Sequence, residues 1–344
     1  MSVRAPVGDV NIATGDCVIG RGIAAVRAGA RTDPWYLYFA LSHARPQLES
    51  RATGSTFASV NKSTLSDLTI PFPPITEQAR IGIVLRTLID KLGEESLVLA
   101  SAQCLKRAAM RALFSQGLRG QAQKETEVGP VPENWAVVTL EKVCSLSTGT
   151  TPSTKRPDYY AGDVPFIKTA DIVDNRIRAA TTHISRQALG DYSLRVYTPG
   201  TVLMAMYGQG KTRGQVSLLE ISAATTQNAA AIEPKDGMNA VFLWQYLLSN
   251  YDRLRGMGSL GHISHLNLGY LRDLRVVYPP IDEQDEIIAI LDAIDRKIDL
   301  HLRKRIVLDQ LFKVLLHKLM TGEIRVGDLD LSMLEPRQAA EVAA

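Results

Sequence analysis

The feature that most constrains this chain is a duplication. The segment Leu65-Ser-Asp-Leu-Thr-Ile-Pro-Phe-Pro-Pro-Ile-Thr-Glu-Gln78 lies over Leu271-Arg-Asp-Leu-Arg-Val-Val-Tyr-Pro-Pro-Ile-Asp-Glu-Gln284 at an offset of 206, with eight identities in fourteen positions. The same offset brings Ile23-Ala-Ala-Val26 onto Ala229-Ala-Ala-Ile232, and Tyr36, Leu37 and Leu41 onto Phe242, Leu243 and Leu247. Further on, Leu113, Leu118 and Arg119 meet Leu319, Ile324 and Arg325. Whatever this chain folds into must therefore be two versions of one unit. Residues from about Thr126 to Tyr207 have no counterpart, so the first copy is expected to join the unit midway, short at its amino end.

Each copy ends in a long helical pattern. Positions 81, 85, 88, 92, 95, 99, 102, 106, 109 and 113 are apolar at eight of ten places, and the positions 206 further on are apolar at eight of ten again. Both seams repeat every 3.5 residues over about five heptads, the period of a coiled coil. Leu85, Leu88 and Leu92 mark the first seam, and Leu291, Ile294 and Ile298 the second, with Glu95 and His301 at equivalent polar places. About forty residues at 1.5 Å each make a helix of roughly 60 Å. Thr76 is expected to cap the first helix, with Glu77 at the positive end of its dipole; Asp282 and Glu283 repeat the device. Gln116-Gly117 and Thr321-Gly322 end the helices.

The rest of each copy reads as mixed α and β. Ala136–Leu140, Val164–Ile167, Val202–Met206 and Ala229–Ile232 are expected as strands, and a helix capped by Asn239 is expected to run to about Leu254. Its image starts at Asp33 with Pro34 at the first helical position and runs from Trp35 to about Arg51. The expected organisation is a partial first domain (1–74), a spacer helix (75–116), a linker (117–134), a second domain (135–280), a second spacer helix (281–321) and a tail (322–344). The fold class is α+β.

Composition narrows the chemistry. The 39 basic residues against 36 acidic leave a net charge of +3, which permits nucleic-acid binding without demanding it. No run of 18 apolar residues exists and the first residues lack a secretory pattern, so a cytoplasmic protein with no membrane role is expected. Cys17, Cys104 and Cys144 are odd in number and far apart, which excludes a disulfide framework and makes buried small side chains the expectation. His262 and His265 lack thiolate or carboxylate companions, so no metal is expected. No paired acid and base stand out, so the chain reads as non-catalytic.

Ala205-Met-Tyr-Gly-Gln-Gly-Lys-Thr212 ends like a phosphate-binding P-loop, but the following Arg213-Gly-Gln-Val-Ser-Leu-Leu reads as a strand, whereas a P-loop runs into a helix. A glycine turn offering Lys211 and Arg213 to a backbone phosphate fits better. Polar or basic loop positions nominate Lys155, Arg156, Lys168, Tyr207, Gln209, Lys211 and Arg213 as DNA contacts in the second copy, and Arg4, Arg21, Thr56 and Asn61 in the first.

Gly129-Pro-Val-Pro-Glu-Asn-Trp135, Gly149-Thr-Thr-Pro-Ser153, Tyr159-Tyr-Ala-Gly-Asp-Val-Pro-Phe-Ile-Lys168, Asp171-Ile172 and the twice-occurring Pro-Pro-Ile-x-Glu-Gln helix resemble the specificity subunit of type I restriction-modification systems. The resemblance implies two target-recognition domains, the first partial here, joined by two long antiparallel coiled-coil helices. It implies reading of a bipartite site in double-stranded DNA. Methyltransferase subunits, and in some systems motor-nuclease subunits, would be the partners, with S-adenosylmethionine carried only by the methyltransferase and no cofactor on this chain. Two other classes stay open from residues alone: a P-loop nucleotide-hydrolysing DNA enzyme built on Lys211, and a purely structural coiled-coil protein.

Overall fold

The structure, a computed structural model, describes residues 1–54, 58–208, 211–257 and 266–329. In chain order the helices are α1 (Pro34–His43), α2 (Arg45–Arg51), α3 (Lys62–Ser66), α4 (Ile75–Gln116), α5 (Leu140–Val143), α6 (Arg186–Asp191), α7 (Ala240–Ser249), α8 (Tyr251–Met257), α9 (Leu268–Arg272) and α10 (Ile281–Thr321). The strands are β1 (Gln123–Lys124), β2 (Val131–Pro132), β3 (Ala136–Thr139), β4 (Cys144–Thr148), β5 (Val164–Ile167), β6 (Arg176–Ile177), β7 (Thr182–Ile184), β8 (Val202–Ala205), β9 (Val216–Leu219), β10 (Ala224–Thr225), β11 (Ala229–Pro234) and β12 (Arg275–Tyr278). The chain divides into two compact units, Met1–Ser101 with Ile298–Ala344, and Ala102–Lys297. Both long helices contribute to both units, α4 to the first by its amino-terminal part and α10 by its carboxy-terminal part.

The second unit is built on a five-stranded sheet in the order β4-β11-β8-β9-β6. Alternation along its strands feeds two cores, because successive side chains leave a strand on opposite faces. From β8 and β11, Val202, Met204, Ala230 and Ile232 join one cluster with α7 and the long helices. Leu203, Ala205, Ala229 and Ala231 join another with Ile167, Ile172 and Tyr197. Arg176 ties the sheet to α10: its guanidinium is 3.1 Å from Glu220 and 2.7 Å from Asp292, and it sits 5.0 Å over the Trp244 ring. β10-β5-β7 form a smaller sheet, and β12 pairs β3 antiparallel.

Within each unit α4 and α10 run antiparallel. In the first, Glu95 accepts hydrogen bonds from His301 Nδ1 at 2.7 Å and from the Lys304 ammonium, while further back Glu77 accepts from Val326 N at 3.1 Å. In the second, the Lys106 ammonium is 2.7 Å from Asp295 and Leu118 N donates to Glu283 at 3.1 Å. The 3.5-residue pattern is the buried pattern: Leu85, Leu88 and Leu291 are inaccessible, Leu92, Ile294 and Ile298 half-buried, and of the twenty seam positions Arg305 alone is exposed. Glu95 is buried at its seam position, and the Lys304 and His301 side chains bonded to it hold its carboxyl below the usual carboxylate value.

The two copies repeat down to single hydrogen bonds. Gln78 is fully buried; its Oε1 accepts from Asp33 N at 3.0 Å, and its Nε2 donates to Arg31 O at 3.3 Å and Pro73 O at 2.8 Å. Gln284 makes the three corresponding bonds, from Asn239 N, to Gly237 O and to Pro279 O, each at 2.9 Å. Asp33 and Asn239 in turn cap α1 and α7, and Asn61 and Asn267 cap α3 and α9. Gly8 and Gly214, which follow each other at the same offset, share φ +88°, a conformation that favours glycine.

Several expectations are corrected. Thr76 is not the cap of α4: the helix already starts at Ile75, with Gln78 N bonded to Pro74 O; Glu77, Asp282 and Glu283 do lie in the first turns, where Glu77 and Glu283 also bond the chain beyond the other long helix. The helix from Asn239 breaks at Asn250, and its image breaks at Ala44, each into two short helices. The stretch read as a linker folds into the β1–β2 ribbon, whose Val131 and Pro132 are buried. Of the cysteines only Cys144 is buried; Cys17 and Cys104 are exposed. Cys17 corresponds to Ala223, inaccessible in the second unit, and Cys104 lies off the seam of α4.

Candidate nucleic-acid interface

Register places one group of loops at one end of the second unit's main sheet. Thr148, the last residue of β4, pairs with Ala230; Ala205, the last of β8, pairs with Ala229; Val216, the first of β9, pairs with Met204. The chain beyond each of these residues therefore leaves at the Ala229 end of β11. β5 runs parallel to β10, with Ile167 opposite Thr225 and the Thr225 hydroxyl bonded to Ile167 O at 2.9 Å. Lys168 thus emerges beside the Thr226–Asn228 loop. Gly149 is required here: a Cβ on it would lie 1.7 Å from Thr225 O, so this loop passes directly against that backbone.

Among the nominated residues, the topology gathers Lys168, Tyr207, Lys211 and Arg213 at this end, with Lys155 and Arg156 on the turn that follows the Gly149–Ser153 loop. Lys155, Lys168 and Lys211 are exposed, and among the described residues no carboxylate lies within ion-pair distance of them. Such ammonium groups are suited to phosphate contacts, which position a protein on a duplex. Tyr207 is 41% exposed. Arg156 is already engaged, with Nε 2.9 Å from Asp158 Oδ1 and its guanidinium 4.3 Å over the Tyr159 ring. Arg213 is half-buried and donates to Arg255 O at 3.1 Å, so its geometry braces α8 rather than offering a free cation.

In the first unit Arg4 and Arg21 are exposed, whereas the Asn61 side chain is spent on the α3 cap, accepting from Thr64 N at 2.8 Å. Gln209 and Thr56 lie outside the described residues, as do His262 and His265. Among the described residues no group of His, Cys, Asp and Glu is placed to hold a metal ion, and no helix is long and apolar enough to cross a membrane.

Lys211 belongs to a hairpin. β8 and β9 pair antiparallel, with Gly214 N bonded to Ala205 O at 2.9 Å, so the glycine-rich stretch returns into a strand and has no helix N-terminus to hold a phosphate chain. The hairpin is braced from outside: Asp174, at φ 62°, accepts from Val216 N at 3.0 Å and Gln215 Nε2 at 3.0 Å, and Ser217 donates to Asn175 at 2.7 Å. Sequence reasoning missed this bracing and the hydrogen bond from the Thr151 hydroxyl to Gln227 that joins two of the loops. No local pattern marks either, since partners 42 and 76 residues apart meet only through the sheet.

The comparisons with known proteins converge. A family profile described as the type I restriction modification DNA specificity domain matches residues 1–97 and 132–310. The chain is 24% identical over 314 residues to the type I restriction enzyme MjaVIII specificity subunit of Methanocaldococcus jannaschii, covering 87% of this chain and 72% of that protein. The crystal structure of a type I restriction-modification S subunit from M. genitalium superposes with TM-score 0.58 at 18% identity, covering 84% of this chain and 73% of that one. A structure of a type I restriction-modification system in assembly and conformational transition gives TM-score 0.57 at 22% identity over 87% and 74% of the two chains. These two likenesses concern the fold; the profile spans most of the sequence, and the chain belongs to the type I restriction-modification DNA specificity family.

Proposed function

We propose that the chain reads a bipartite site in double-stranded DNA as a non-catalytic specificity subunit, and docks methyltransferase subunits that carry S-adenosylmethionine and, in the restricting form of the complex, motor-nuclease subunits. The observation that carries this reading is the duplicated frame: two copies of one unit, each pinned by a buried glutamine in the same three hydrogen bonds, suit a site read in two halves. Lys155, Lys168 and Lys211 supply cations for phosphates at the Ala229 end of the second unit's sheet, and base edges would be read from the loops between them. The long helices bear exposed apolar side chains outside their seam, among them Ile83, Leu97, Leu300, Val307 and Val314, which supports partner docking along them. A nucleotide-hydrolysing role for Lys211 is disfavoured by its place in a hairpin.

The test is methylation mapping of cellular DNA with and without the gene, the methyltransferase genes being left intact. A split adenine-methylation motif with a fixed gap should vanish on deletion. Persistence of every such motif would refute the reading.

A further inference from the structure

The first unit carries a pair of facing imidazoles that the repeat does not explain. His43, in the last turn of α1, brings its Nε2 to 3.3 Å from Nδ1 of His317 on α10, with the ring centroids 5.5 Å apart. Both rings stand on a fixed frame. One turn before His43, Phe39 is fully buried with its ring 6.1 Å from that of Phe312, and Ala40, Leu319 and Met320 belong to the same core. The His317 side chain is 61% exposed, and its far nitrogen, Nε2, lies 3.6 Å from Glu323 Oε1. The counterparts 206 positions away are Ser249 for His43 and Arg111 for His317. Both are exposed in the second unit, so the same face lies open where the unit also has β3–β10. The histidines are therefore no part of the shared frame, and their exposure does not depend on how much of the unit precedes α1.

Tautomer and spacing both suit this pair to a cation. A proton on Nε2 of His317 faces the Glu323 carboxylate, and that tautomer leaves the Nδ1 lone pair turned toward His43. A carboxylate behind an imidazole in this way orients the ring of a metal-ligating histidine and raises its basicity. Nitrogens each about 2.0–2.1 Å from a tetrahedral zinc stand about 3.3–3.4 Å apart. The 3.3 Å seen here matches that edge and lies slightly beyond the usual N–H hydrogen-bond range of about 2.7–3.2 Å. Burial first, and then the neighbouring His317, lower the pKa of His43, which favours the neutral ring that a metal requires. What the described residues lack is a group of three or more such side chains, so a cation held by these two would take water at its other positions.

We propose that His43 Nε2 and His317 Nδ1 form an open two-imidazole site for a borderline divalent cation such as zinc, with Glu323 orienting His317 from behind and the bound ion clamping the end of α1 to the last turns of α10. Imidazole nitrogens suit zinc, copper and nickel, whereas magnesium and calcium take oxygen ligands. The two ligands come from elements far apart in the chain, so the ion would add a cross-link where packing alone now joins α1 to α10. Both histidines and the carboxylate lie within the first unit. The site goes beyond the DNA-reading role and does not rest on it.

The test uses the full chain without an affinity tag and zinc chloride, with calorimetry to read uptake and hydrogen exchange to read place. His43→Ser and His317→Arg should each bind one zinc fewer per chain than the parent; the second copy already carries these residues at the equivalent positions, so the frame accommodates them. Glu323→Gln should weaken that zinc about ten- to a hundredfold. At free zinc a hundred times the dissociation constant, exchange over residues 39–46 and 313–321 should slow by up to about a hundredfold, with 237–245 unchanged, and magnesium chloride should have neither effect. No zinc uptake, uptake that both histidine variants retain in full, uptake without slowing at 39–46 and 313–321, or an equal response to magnesium would each overturn the proposal.

Discussion

Replacing Gln284 by leucine should loosen the second unit at one defined place and leave the first unit untouched. The side chain is fully buried and its amide makes three hydrogen bonds of 2.9 Å, to Asn239 N, Gly237 O and Pro279 O. Leucine fills nearly the same volume but returns none of them. Stranding a buried backbone group costs about 1–3 kcal/mol, but Gly237 is exposed and Asn239 half-buried, so water tempers two of the three losses to about 3–5 kcal/mol in all; the added apolar contact offsets about 1 kcal/mol, and a net loss of about 2–4 kcal/mol is expected. The chain has two units, and a single unfolding midpoint would not resolve where the loss falls. Native-state hydrogen exchange read by mass spectrometry does: peptides over 237–245 and 278–288 should exchange roughly 30- to 700-fold faster, the equivalent of that energy. Peptides over 31–41 should be unchanged. Gln78→Leu should give the mirror result, and Gln284→Glu should be worse near neutral pH than in acid, where a protonated carboxyl regains one donor. If 237–245 stays protected within threefold, or both units loosen together, the duplicated amide is not the pin described above.

Each of Lys155→Ala, Lys168→Ala and Lys211→Ala should lower the salt dependence of DNA binding by the assembled complex by about one unit of slope without changing its preferred sequence; unchanged slopes for all three would place the interface elsewhere. Arg156→Ala should matter less, because Asp158 already neutralises that guanidinium. Glu95 has a depressed folded pKa, so its contribution is complete above its ordinary value of 4.5 and is lost as pH falls through the lower folded value. Glu95→Gln should therefore destabilise the first unit at neutral pH and flatten its stability profile below pH 4.5, which denaturant midpoints across pH would read. With the protein folded, a thiol reagent should label Cys17 and Cys104 and spare Cys144, whose thiol burial pushes up to about 12; labelling of Cys144 at the same rate would contradict its packing.

The long helices were legible because their information is local and redundant: a seam of ten positions, a Pro-Pro stop before it and glycine after it. The repeat was legible for the same reason, and it foretold that Asp33 and Asn239 would cap equivalent helices. What the sequence hid was anything set by partners distant in the chain. Asn61 looked like a polar loop residue, yet it is a cap; Arg213 looked like a free cation, yet it braces α8. Thr76 failed as a cap because the Pro74 carbonyl accepts from Gln78 N, which starts the helix at Ile75 and puts Thr76 inside its first turn. The exposed cysteine at 17 was misjudged since its burial depends on neighbours that Ala223 has and it lacks.

The pinning amide and the proposed reading loops sit at opposite ends of the same strand, and that separation has a consequence for how such a protein can change its target. β11 begins at Ala229, where the loops after β4 and β8 emerge, and ends at Pro234, paired with Cys144. Three residues later Gly237 O receives the Gln284 amide, and Asn239 caps α7 against the same helix start. A strand of six residues spans about 20 Å. Substitutions in the Gly149–Arg156 turn, the β8–β9 hairpin or the Thr226–Asn228 loop therefore act about that far from the contacts that seat the sheet on the long helices. Their cost in stability should be confined to the loop they occupy, in keeping with the near-additivity of distant sites. The hairpin brace is the exception: Asp174, just ahead of β6, bonds Val216 N and Gln215 at the base of the hairpin, so a change at Asp174 should shift the hairpin that carries Lys211 while leaving Lys211 itself in place in the sequence. Asp174→Ala is thus expected to alter DNA affinity while leaving exchange at 237–245 unchanged, and a variant that loosened both would show that the sheet does not separate reading from framing.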